Sequence, residues 1–261
     1  MSLYGVDVDP TQMNTSHAQV VDLVGPSRRV LDVGCWRGDT GRVLMERGCT
    51  VSGFEVDPEA AAQAAEVLDD VRIGDLNAVA LSEVFRGELF DVVIFADVLE
   101  HVLDPEGVLA DACSLLAADG RVVISIPNVG HGSLRLAHLQ GRWDMTDTGL
   151  LDRTHIKFFT RQSLVALVTN CGFEIVDFRG TTADPLAVEV DVDRRRLPPG
   201  ALWWVRAKPE SYIYQFQLAA VPSPTPKPPT PLRLPTTQRQ NLIRAVRGDA
   251  VRFARRFVRS R

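Results

Sequence analysis

Histidines 101 and 155 of the 261-residue chain stand in settings where an imidazole could move a proton. His101 follows Glu100, and His155 closes the run Asp152, Arg153, Thr154. Imidazole titrates near neutrality, so either ring can take a proton from a hydroxyl while a nearby carboxylate orients it. Asp152 is the candidate orienting group for His155, and Glu100 is a candidate acid or base beside His101. Asn128, His131 and Arg153 add hydrogen-bonding groups that could hold an acceptor. Each of these residues also has a plain reading: Leu99, Glu100 and His101 can simply open a helix, and a histidine ahead of Phe158 and Phe159 can cap or pack. His17 and His138 fall at helical spacing and are read as structural. Asp97, Glu100 and His101 together resemble a ligand set, but two carboxylates and a histidine on adjoining turns are common on ordinary helices, so no metal is expected.

The elements that must position these groups are legible upstream. Val30, Leu31 and Val33 supply a buried strand around Asp32, and Gly34 and Gly38 let the backbone turn tightly and come close to a ligand. A helix that follows such a turn points its amide dipoles at that ligand. Glu55 lies 21 residues beyond Gly34 at the end of the next strand, where a carboxylate can accept hydrogen bonds from both hydroxyls of a ribose. Asp57 before Pro58 reads more simply as a helix start. Asp75 follows a short third strand, residues 90–95 form a fourth that runs into Asp97 and Val98, and residues 121–126 form a fifth. This order describes a nucleoside-cofactor pocket.

With the runs DVGCWRG, FEVD, GDL, FDVVIFADVLEH and LAADGRVVISIPN in this order, the chain resembles the class I S-adenosylmethionine-dependent methyltransferases. The resemblance covers residues 1–221, and GRWDMTDTGLLDRTHIKFFT, residues 141–160, looks like a subgroup often found beside or fused to glycosyltransferases. It implies an α/β fold with a Rossmann-like seven-stranded, mostly parallel sheet, helices on both faces and an antiparallel last strand. It also implies S-adenosylmethionine as cofactor, held by Asp32, Gly34, Gly38, Glu55, Val56, Asp75, Leu76, Asp97 and Val98. Within that set Glu55 is expected on the ribose, Asp75 on the adenine amine and Asp97 on the methionine portion. Catalysis is assigned to His155, His101 and Glu100, and acceptor binding to Asn128, His131, Asp152 and Arg153. Trp36 departs from the pattern. It replaces the middle glycine of the first motif, and because a bulky residue does not readily adopt a positive φ, the detailed backbone path there is left open while cofactor binding is expected to survive.

Composition agrees with an intracellular enzyme. At 45% hydrophobic residues the chain can bury a full core in one domain. The first residues lack the basic start and apolar run of a signal peptide, no segment reaches the ~18 uncharged apolar residues of a membrane span, and four scattered cysteines fit a reduced cytosol. The net charge of −4 conceals an asymmetry: residues 222–261 carry ten Lys or Arg against Asp249 alone, and residues 1–221 carry nineteen basic and thirty-two acidic groups. An acidic body would repel the phosphates of nucleic acid, which is excluded as a substrate.

Punctuation divides the chain. Residues 14–16 can cap a first helix ended by Gly25 and Pro26, βα units follow, and residues 127–159 form an insertion that in related methyltransferases covers the methyl group and shapes the acceptor pocket. Residues 173–178 and 212–221 are the expected sixth and seventh strands, an antiparallel pair, with residues 181–210 left undetermined. The catalytic domain is expected to end at residue 221. Seven prolines within residues 222–235 read as an extended linker running to residue 236, and residues 237–261 as a basic amphipathic tail suited to an anionic membrane surface or an acidic partner. The expected protein is therefore cytoplasmic, or peripheral at the inner face of the membrane. It methylates a hydroxyl on a sugar or glycosylated metabolite, with a non-sugar hydroxyl, amine or carbon of a secondary metabolite as the alternative. A non-catalytic cofactor-binding partner of a glycan-assembly complex is the alternative from another class.

Overall fold

The computed structural model describes residues 8–234, so the amphipathic tail lies outside the described residues. Helix α1 (Ser16–Val24) starts where the Thr15 hydroxyl accepts the Ala18 amide and stops at Gly25 with φ 77°. Strand β1 (Arg29–Val33), helix α2 (Asp39–Glu46), β2 (Thr50–Glu55), α3 (Pro58–Ala64), β3 (Asp70–Ile73), α4 (Leu81–Val84) and β4 (Phe90–Ala96) then alternate. A 3-10 turn, Leu99–His101, leads to α5 (Pro105–Cys113) and β5 (Leu116–Pro127).

These strands join β6 (Phe173–Thr182) and β7 (Ile213–Pro222) in one seven-stranded sheet of order β3-β2-β1-β4-β5-β7-β6. The first five pair in parallel, and β7 runs antiparallel to both β5 and β6. The expected antiparallel pair therefore forms, with the last strand inserted inside β6. Order reverses between β1 and β4, and ligands of open α/β sheets bind at the carboxyl ends of the strands flanking such a point.

Strand alternation builds two cores. Leu31, Val33, Val93 and Phe95 face one layer with Phe54, Phe85 and Phe90, whereas Val30, Val92, Ile94 and Val123 face α1 through Val20, Val21 and Val24. The insertion supplies α6 (Gly132–His138), and α7 (Arg161–Asn170) begins at a capping box in which Thr160 and Ser163 bond reciprocally. Within residues 181–210 a 3-10 turn, Arg194–Arg196, and a short helix α8 (Ala201–Arg206) form, followed by a 3-10 turn, Pro209–Tyr212. No helix among the described residues is long and apolar enough to cross a membrane.

The domain does not stop at residue 221. The Arg233 amide donates to the Phe178 carbonyl at 2.7 Å, its carbonyl accepts from Gly180 at 3.2 Å, and Leu232 and Leu234 pack on the core. Proline removes a ladder donor, but Arg233 keeps its N–H and can pair on the exposed edge of β6. The last segment of the presumed linker is thus part of the folded unit.

Candidate functional site

The glycine turn forms at the carboxyl end of β1. Gly34 has φ 71°, and a Cβ there would lie 2.6 Å from Val98 Cγ2, so only glycine fits between the turn and the β4 loop. Gly38, at φ 81°, precedes the first turn of α2. Trp36 also takes a positive φ, 48°, so the bulky residue follows the left-handed path that glycine would take, at a strain of order 1–2 kcal/mol. Its amide donates to Glu55 Oε2 at 2.9 Å, which holds the turn against the end of β2. That anchor accompanies the backbone path that the sequence left open.

Glu55 is buried, and Oε1 accepts the amides of Val56 and Asp57 at 2.8 and 2.9 Å. Three backbone donors fix a carboxylate that has about four acceptor sites, which leaves room for about one further donor such as a ribose hydroxyl. Asp32 lies buried nearby, and burial, then the Glu55 charge, pushes its carboxyl up to about 7. Val56 is exposed past the end of β2, and Asp75 is exposed past β3, accepting the Asn77 amide at 2.8 Å. Leu76 packs partly on the core. Asp57 caps α3 through the Glu59 and Ala60 amides, the plain role its sequence suggests.

Asp97 ends β4 with φ 57°, and its carboxylate accepts from the Gln215 amide, which also donates to Ser125 Oγ at 2.9 Å. Burial raises the Asp97 carboxyl to about 7, against the lowering effect of that Gln215 bond. Gln215 and Ser125 escape sequence reading because they come from β7 and β5. A glutamine at alternating position on a strand whose neighbours are buried apolar residues is the only signal.

Beyond Asp97 the expected catalytic residues converge although 54 positions separate His101 from His155. Their ring centroids lie 4.8 Å apart at 70°, and His155 Nε2 is 3.9 Å from Glu100 Oε1. The tether is backbone pairing: the Glu100 carbonyl accepts the Ile156 and Lys157 amides, both at 2.9 Å. His101 Nδ1 lies 3.1 Å from the Thr154 carbonyl, which fixes Nδ1 as donor. Glu100 is 1% exposed, and among the described residues neither carboxyl oxygen has a hydrogen-bond partner. Burial, then the Asp97 charge, raises its carboxyl well above the usual range. His155 is lowered, by burial and then by His101. Among the described residues, Glu100, His101 and His155 also place ligand atoms within 4.8 Å of one another, close enough to hold a metal ion. The sequence-based set of Asp97, Glu100 and His101 had no means of including His155.

The candidate acceptor residues divide. Asp152 is buried below this cluster, its Oδ1 accepting the Thr154 amide at 2.8 Å and hydroxyl at 2.7 Å, and its charge acts on both Glu100 and His155. Arg153 points to the surface and pairs with Asp147 at 2.9 Å. Asn128 is buried with its amide donating to the Ile213 carbonyl at 2.7 Å and its oxygen accepting from Gly130 at 2.8 Å. His131 is wholly buried: Nδ1 meets Ser133 Oγ at 2.8 Å, Nε2 meets the Ala183 carbonyl at 3.2 Å, and burial lowers its pKa to about 4. Asn128 and His131 therefore brace the entrance to α6, their polar atoms bonded to the protein itself. Trp143 packs on Phe158 at 5.3 Å, and Phe158 on His155 at 6.3 Å.

Known proteins resemble the chain in sequence and in fold. A family model described as a methyltransferase domain matches residues 11–177. A ubiquinone biosynthesis O-methyltransferase from Pseudomonas entomophila is 31% identical over 184 residues, spanning 69% of this chain and 78% of the relative. In fold the chain is similar to an S-adenosylmethionine-dependent methyltransferase from Archaeoglobus fulgidus (TM-score 0.58, 17% identity, 81% of this chain and 94% of that one). It is also similar to magnesium protoporphyrin IX methyltransferase from Synechocystis, solved with bound S-adenosylhomocysteine (TM-score 0.53, 19% identity, 82% and 83%).

Proposed function

The chain belongs to the S-adenosylmethionine-dependent methyltransferase family, and from that premise we propose that it methylates a hydroxyl oxygen of a small acceptor held against His155 and His101. The observation that carries the reading is the convergence of these two rings and Glu100 just past Asp97, at the reversal point of the sheet. A sulfonium methyl is already activated, so the protein has to align the acceptor oxygen with it and remove a proton. S-adenosylmethionine, held by the β1 turn and Glu55, would supply the activated methyl group, and His155 or His101 would take the proton of the acceptor hydroxyl. Glu100 is a poor base here because burial favours its protonated form, whereas burial favours the neutral, proton-accepting form of His155. The relatives named as ubiquinone biosynthesis O-methyltransferases support oxygen as the receiving atom. The resemblance of residues 141–160 supports a sugar or glycosylated metabolite as acceptor, and the aromatic wall of Phe158 and Trp143 suits a sugar face. A non-sugar hydroxyl is the second reading, favoured by the named relatives.

The pH profile tests this base. Catalysis needs neutral His155, whose pKa lies below the ordinary 6.5 because burial and then His101 disfavour its charged form. Activity is therefore present above that pKa and lost as pH falls through it. The acid limb of kcat/KM should have its midpoint below pH 6.5 in the wild type. A midpoint above 6.5, or no acid limb at all, contradicts His155 as base.

A further inference from the structure

We propose that the face built by α6, the Arg194–Arg196 turn and α8 docks on an anionic lipid bilayer. A cleft of about 580 Å³ opens there, lined by Leu139, Pro198, Pro199, Trp203 and Trp204 with Arg135 among them. Trp204 is 51% exposed and Leu139 55%, an arrangement that wastes apolar surface unless something covers it.

The rim identifies what covers it. Arg194 and Arg195 are exposed, and among the described residues neither has an acidic partner within ion-pair distance. The Lys208 ammonium sits 4.5 Å from the Trp204 ring centroid. The neighbouring acids are already taken: Asp191 by Arg142 at 2.8 Å, and Asp193 by Arg196 at 3.5 Å. Gln140 bonds both the amide and the carbonyl of Asp193, which pins the arginine turn beside Leu139. On a body with thirteen more acidic than basic groups across residues 1–221, cations gathered near the exposed Trp204 are a local exception. Indole places its apolar body at the acyl boundary and its N–H among headgroups, while arginine pairs with phosphate. Two prolines and a short helix hold these groups in place, so little ordering is required on docking.

The face continues into the catalytic wall. His138 of α6 stacks on Trp143 at 5.0 Å, and Trp143 leads through Phe158 to His155. A docked molecule would bring an interfacial acceptor to the cluster. The docking itself does not depend on which acceptor is used.

The C-terminal tail is also basic, but it contains no tryptophan, whereas Trp36, Trp143, Trp203 and Trp204 all lie in the described body. Quenching of tryptophan emission by brominated lipid in full-length protein therefore reports the body's face alone. With phosphatidylglycerol-containing vesicles in low salt, emission should shift to the blue and fall by about a third or more. Trp204→Phe should remove most of that quenching. Arg194→Glu with Arg195→Glu should weaken vesicle affinity about tenfold or more while cofactor affinity is kept. Co-sedimentation without quenching would assign the membrane to the tail and overturn the proposal. So would equal affinity for neutral phosphatidylcholine vesicles, an unaffected double variant, or no binding to any vesicle, which would leave a protein partner for this face.

Discussion

Replacing His155 with alanine should lower turnover about 10²- to 10⁴-fold while leaving S-adenosylmethionine affinity unchanged. The two effects separate because Glu55, the group expected on the ribose, ends β2, whereas His155 comes from the insertion and meets Glu100 and His101. An interaction made only in the transition state lowers kcat and kcat/KM together. His101→Ala must be measured beside it, since the rings are 4.8 Å apart and either could face the hydroxyl. The true base should also fail to recover as glutamine, which fills similar space without accepting a proton. Two variants that each keep near-full turnover on the natural acceptor would place the base elsewhere. A chelator belongs in the same series because the three side chains are spaced for a cation. Turnover that survives chelation supports proton transfer to an imidazole, and turnover lost on chelation and restored by a divalent ion would reassign the cluster.

Glu55→Ala is expected to weaken cofactor binding about ten- to hundredfold by calorimetry. The loss corresponds to a paired charge-assisted contact worth roughly 1.5–3 kcal/mol. Part of it is indirect: Glu55 also anchors the amide of Trp36, which holds a left-handed backbone that a tryptophan does not choose by itself. Glu55→Gln keeps an amide-accepting oxygen and should lose less. A folded Glu55→Ala protein with unchanged affinity would remove the ribose assignment.

Strands and the cofactor turn were legible because their signals are local. Buried runs such as residues 90–95, glycines where φ must be positive, and an acid at the end of the next strand all fall within one βα unit or two. His101 and His155 were each recognisable, but their meeting was not, since it depends on Glu100 pairing through its backbone with Ile156 and Lys157. Residue type alone does not show that His131 and Asn128 bond buried backbone groups. A polar side chain in the insertion looks the same in sequence whether it faces a ligand or satisfies buried backbone groups, as these two do. Gln215 was missed for the converse reason: it reaches Asp97 from a strand 118 positions later. Proline content overstated the linker, because one residue with a free N–H, Arg233, is enough to pair on the edge of β6.

The most direct test of the account is product analysis after incubation with S-adenosylmethionine carrying an isotopically labelled methyl group and a panel of sugars, glycosylated metabolites and other hydroxylated small molecules. The account predicts one labelled methyl ether on oxygen, formed in equal amount with S-adenosylhomocysteine and abolished in the protein lacking both His101 and His155. A label on nitrogen or carbon, or cofactor that binds tightly yet is never turned over with any acceptor, would contradict it.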